Sequence, residues 1–99
     1  MSAINWKRGL TIDIDPDSRL VYSWDMTNWF GEDAVILTYE LIPEAPLTIP
    51  YQARSGMIVS FKVADAELDG KRGVTLRVTV DGPAIQQDDR TVYFRGRHQ

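Results

Sequence analysis

Met57-Ile58-Val59-Ser60-Phe61-Lys62-Val63 decides the fold class. Met57, Val59, Phe61 and Val63 occupy alternate positions, with Ser60 and Lys62 between them. A strand turns successive side chains to opposite faces, so this run buries one face and wets the other. Downstream, Val74, Leu76, Val78 and Val80 alternate with Thr75, Arg77 and Thr79, and Val92 and Phe94 with Thr91, Tyr93 and Arg95. Upstream, Leu10, Ile12 and Ile14 alternate with Thr11 and Asp13, and Leu20, Tyr22 and Trp24 with Val21 and Ser23. Val35, Leu37, Tyr39 and Leu41 are expected on one face of a longer strand, with Ile36 making the second face partly apolar. Leu47, Ile49 and Tyr51 predict a short edge strand, because Pro46 and Pro50 each remove a ladder donor.

Turn chemistry separates these runs: Asp15-Pro16-Asp17, Pro43-Glu44-Ala45-Pro46, Asp69-Gly70 and Gly82-Pro83. Short strands divided by such signals predict an all-β domain, an immunoglobulin-like sandwich of about seven strands. The segment Asp25-Met26-Thr27-Asn28-Trp29-Phe30 is the one local exception, where Asp25 is placed to cap a single helical turn. The regular alternation starts after Gly9, which predicts an N-terminal arm over 1–8 and the sandwich over 9–97.

At 99 residues the chain has the length of one domain, with a core large enough to fold without disulfide or metal. Its 43% hydrophobic and 25% charged residues match a globular domain rather than a disordered one. A net charge of −3, with both signs mixed, argues against a nucleic-acid binder. Basic residues gather only near the ends: Lys7 and Arg8, then Arg90, Arg95, Arg97 and His98. There is no cysteine, so the fold is independent of redox conditions. No apolar run approaches a membrane span, and Met1 to Arg8 lacks the apolar core of a signal peptide. Synthesis in a cytoplasm, without a membrane partner, is the expectation.

Catalysis needs a nucleophile, a base or a metal in a shaped pocket. The single histidine, His98, stands beside the C-terminus, and no Gly-rich phosphate loop, G-x-S-x-G or H-E-x-x-H motif occurs. No enzymatic activity and no cofactor are expected. Asp13-Ile14-Asp15-Pro16-Asp17 spaces three carboxylates like the start of a calcium loop, but Ser18 and Trp24 stand where that loop needs glycine and glutamate. A solvated turn is the expected reading, and no metal site.

Tyr22, Trp24, Trp29 and Phe30 form an aromatic cluster that is a core if buried and a sugar platform if exposed. Trp6 lies outside the alternation, in the basic segment with Lys7 and Arg8, and is the best candidate for an anchor onto a partner. Lys71 and Arg72, inside Asp69-Gly70-Lys71-Arg72-Gly73, are expected in a loop that can touch a neighbouring subunit. Arg95 and Arg97 end the last strand with charges that discourage pairing along its edge, so a partner is expected elsewhere.

Three stretches carry a resemblance to a known group. The first runs Asp15-Pro16-Asp17-Ser18-Arg19-Leu20-Val21-Tyr22-Ser23-Trp24-Asp25-Met26-Thr27-Asn28-Trp29-Phe30. The second is Asp69-Gly70-Lys71-Arg72-Gly73-Val74-Thr75-Leu76-Arg77-Val78-Thr79-Val80, and the third Asp88-Asp89-Arg90-Thr91-Val92-Tyr93-Phe94-Arg95-Gly96-Arg97. Over residues 15–97 this order resembles small tailed-phage virion structural proteins of the fibre or decoration type. Asp69-Gly70 departs from the usual Gly-Gly pair, and residues 43–56 are richer in proline than the pattern.

The resemblance implies an Ig-like domain carried on a phage particle, with the major capsid protein or other virion proteins as partners. It implies no catalytic residues. A homo-oligomer is expected, since a small contact repeated by symmetry suffices on a shell. The alternatives are a neck or tail protein, which would reach neighbours through residues 43–56, and a carbohydrate or host-surface module.

Overall fold

A computed structural model describes residues 2–15, 20–27, 29, 35–66, 68–81 and 85–97. These form eight strands and, among the described residues, no helix: β1 (Ser2–Ala3), β2 (Thr11–Ile14), β3 (Val21–Asp25), β4 (Val35–Pro43), β5 (Thr48–Ser55), β6 (Ile58–Ala64), β7 (Lys71–Asp81) and β8 (Gln86–Gly96). They build two four-stranded sheets, ordered β1-β3-β6-β5 and β2-β8-β7-β4, which pack as a β-sandwich. The expected all-β sandwich is therefore observed, with a two-residue strand added at its start.

The alternating runs explain the core. Tyr22 and Trp24 pair with Phe61 and Val59 across β3 and β6, and all four are buried. Val74, Leu76, Val78 and Val80 on β7 are buried, as are Val92 and Phe94 on β8. The Tyr22 and Phe61 rings of the first sheet meet Phe94 of the second edge-on, at centroid separations of 5.2 and 6.3 Å. Each such side chain contributes about 1.5–3 kcal/mol by leaving water, so these few rings do much to hold the layers together. β5 and β6 are joined through Gly56, whose φ of +58° is the left-handed conformation a tight hairpin turn requires.

β4 corrects the expected phase. Ile36 pairs with Val80 and Thr38 with Thr79, so Leu37 is an extra residue in the strand. Such a bulge reverses parity on one side of itself. Ile36 therefore points into the core, while Val35 and Leu37 are exposed, and only Tyr39 and Leu41 keep the expected face. β5 is the expected edge strand but runs longer, to Ser55, and its register slips between Thr48 and Tyr51, around Pro50. Residues 43–56 are thus largely strand rather than a reaching loop.

One further expectation is corrected. Lys71, Arg72 and Gly73 are not in a loop: they belong to β7, paired with Arg95, Phe94 and Tyr93. The segment expected as an N-terminal arm, described over residues 2–8, is tied to the first sheet. Ser2 and Ala3 pair in parallel with Tyr22 and Ser23, the Ile4 N–H donates to the Ser23 carbonyl at 2.8 Å, and Ile4 is buried. The segment is too short to display a period, yet its apolar side chains close one end of the core.

Candidate docking surfaces

The N-terminal segment and β8 build the first surface. The Trp6 indole N–H donates to the Thr91 carbonyl at 2.8 Å. Arg90 shares the inward parity of Val92 and Phe94, and its guanidinium lies over both tryptophans, 4.7 Å from the Trp6 ring centre and 3.9 Å from Trp29. Its Nε donates to Asp88 at 2.9 Å. The Trp29 ring in turn meets Trp24 edge-on at 5.5 Å. A cation between two indole faces is held by their π-charge and by packing. Trp6 is thus half-buried and engaged within the domain, while Lys7 and Arg8 beside it are exposed.

An open cleft of about 580 Å³ adjoins this stack, lined in part by Asn5, Trp6, Ser23, Asp25 and Trp29. The Asp25 carboxylate accepts from the Thr27 backbone N–H at 2.9 Å and from the Thr27 hydroxyl, the bonds by which a side chain caps the start of a turn. Those two bonds hold the carboxyl below its ordinary pKa. One further turn follows, with the Trp29 N–H on the Met26 carbonyl, while Asn28 and Phe30 lie outside the described residues. The buried Trp24 indole N–H has no partner among the described residues.

The outer face of the second sheet is the other surface, and its charges are matched in rows. Arg77 lies between Asp89, at 3.1 Å, and Glu40, at 3.9 Å. Asp13 accepts from Arg95 at 2.9 Å and lies 3.8 Å from Arg97. Arg95, on β8, and Arg97, just past its end, are therefore paired with Asp13, and β8 is itself internal, between β2 and β7. Of the three spaced carboxylates, Asp13 accepts from Arg95, Asp17 lies outside the described residues, and no group of three metal-ligating side chains occurs among the described ones. His98 also lies outside them.

A notch interrupts this face at Gly73. A side chain there would meet the Thr91 methyl at 2.9 Å and the Tyr93 ring at 3.4 Å, so the close packing requires glycine. The Gly73 N–H donates to the Glu44 carboxylate at 2.8 Å, and the Gly73 carbonyl accepts from the Glu44 N–H at 2.8 Å. The resulting hollow, about 380 Å³, is lined by Ile42, Pro43, Tyr93 and the two threonines Thr75 and Thr91. Lys71 stands over the Tyr93 ring at 4.6 Å, and Arg72 donates to the Ala45 carbonyl at 3.1 Å.

Comparison with protein-family models, with curated proteins and with solved structures finds no match. The surfaces themselves must carry the functional argument. Of the five candidate partner residues, Trp6, Lys7 and Arg8 precede β2 on one side of β8, and Lys71 and Arg72 lie on β7 at the other. Sequence reasoning missed Arg90 and Gly73. The inward parity of Arg90 was a usable signal for the first; nothing local marks the second.

Proposed function

We propose that this chain is a non-enzymatic virion structural protein of a tailed bacteriophage, an Ig-like domain that decorates the capsid by binding the major capsid protein. It is made in the host cytoplasm and carried on the particle. The strand order supports the Ig-like part: β1-β3-β6-β5 follows the A-B-E-D order of such domains, and β8-β7-β4 follows G-F-C. The parallel pairing of β1 with β3 is a departure from it.

The observation that carries the functional reading is where the tryptophans are. Trp24 is buried, and Trp6 and Trp29 share the Arg90 guanidinium between them. Aromatic faces already occupied from within make a poor sugar platform, which favours a structural role over a carbohydrate module. A rigid, matched-charge surface suits repeated contact on a shell, because its polar groups are satisfied before the partner arrives.

Co-sedimentation of the purified protein with tailless capsids and with isolated tails of the parent phage tests this. Saturable binding to capsids is expected, weakened by Lys7→Glu and Arg8→Glu, which touch only exposed side chains. Binding to tails alone moves the protein to the neck or tail. Binding to neither refutes the reading.

A further inference from the structure

We propose that the domain associates with itself head to tail, the exposed Val35, Leu37 and Ile85 beside the last pairs of β7 and β8 on one copy seating in the Gly73 notch of the next. At that end Ile85 is 72% exposed. The register pairs Val35 with Asp81 and Val80 with Gln86, which brings exposed Val35 and Leu37 of β4 to the same end. Three uncovered aliphatic side chains together are more than scattered surface residues and mark a contact.

The notch offers what this end lacks. Its walls, Ile42, Pro43 and the Tyr93 ring, are apolar, and its floor is a glycine backbone. Charge selects the pairing. Asp81 stands at the hairpin end, whereas Lys71, over the Tyr93 ring, stands beside the notch. Glu44, the acid beside the notch, is already bonded to the Gly73 N–H. From Val80 back to Gly73 is roughly 23 Å at ~3.3 Å per residue, so a copy cannot reach its own notch. The two patches differ, so the contact is heterologous and propagates into a ring or a filament.

This deepens the expectation of a homo-oligomer, but it is tested on purified protein without any particle. Its failure therefore leaves capsid binding untouched, and the reverse holds too. In sedimentation velocity the mean mass of the full chain should rise with concentration. Ile85→Asp and Ile42→Asp should each weaken association about tenfold or more, because a charge enters an apolar contact. Circular dichroism checks that both stay folded. Mixed in equal amounts, the two variants should regain one joint, since one keeps the notch and the other keeps the hairpin end. The expected product is a 1:1 pair that grows no further. A wild-type chain that stays monomeric at millimolar concentration, Ile42→Asp that associates like wild type, or a mixture no heavier than its parents would each overturn the proposal.

Discussion

Arg90 fills a place that alternation assigns to an apolar side chain. It follows the parity of Val92 and Phe94, yet its charge is tolerated because two indole faces and Asp88 surround it. Stacking of this kind needs a flat cation, so Lys should not replace it. Arg90→Ala is expected to lower unfolding free energy by about 1–2 kcal/mol, with Arg90→Lys recovering only part. Urea denaturation followed by tryptophan fluorescence measures both, and equal stability of all three proteins would contradict the stacking account. Asp13 has a different consequence. The hydrogen bond from Arg95, helped by the charges of Arg95 and Arg97, holds its carboxyl below the ordinary range. The unfolded chain keeps the ordinary value, so the contribution is whole above about pH 4 and is lost as pH falls through the lower folded pKa. Thermal melts from neutral to acidic pH should show a steeper loss below about pH 4 for wild type than for Asp13→Asn.

The strands differ in how plainly their residues announce them. β6 and β7 alternate without interruption, and their inner faces are the ones expected. β4 misleads because a bulge is a decision of the pair, not of the strand. Nothing within Val35 to Leu41 says that Leu37 will be passed over, since the two-to-one match is set by β7. Ile36→Ala should therefore cost about 2–4 kcal/mol and Leu37→Ala within about 0.5 kcal/mol, the reverse of what simple alternation assigns. Chemical denaturation of the two variants decides it. Lys71 to Gly73 read as a loop because two glycines and two charges bracket them. Yet Gly73 is glycine for the sake of Thr91 and Tyr93 on the facing strand. Trp6 was legible as an outlier and no more, because its acceptor, Thr91, is 85 residues away.

At the scale of the whole molecule, the sandwich is long and narrow, 45 × 21 × 19 Å. Its apolar hairpin end lies well away from the basic side of the notch, the arrangement that an end-to-side array needs. Association that involves only the folded state raises apparent stability with concentration. The midpoint of thermal unfolding should accordingly climb as wild-type protein is concentrated and stay flat for Ile85→Asp; calorimetry at several concentrations reads this directly. The fold class and the two-layer core were open to sequence reasoning, because period-two patterning is local. The clefts were not, because each joins stretches apart in sequence, Ala3 to Lys7 with Ser23 to Trp29 in one and Ile42 to Glu44 with Gly73 and Tyr93 in the other.

The parallel pairing of β2 with β8, Thr11 beside Tyr93 and Ile14 beside Gly96, also bears on how the chain is made. A ribosome delivers β2 well before β8, the strand beside it in the sheet. Until residue 96 has emerged, the inner faces of β3, β6 and β7 exist without the strand that completes their cover. Pairing across so much sequence is slow to find, and exposed strands aggregate while they wait. A nascent chain stalled before β8 is therefore not half a domain. It is an intermediate with exposed strand edges, of the kind that chaperones shelter.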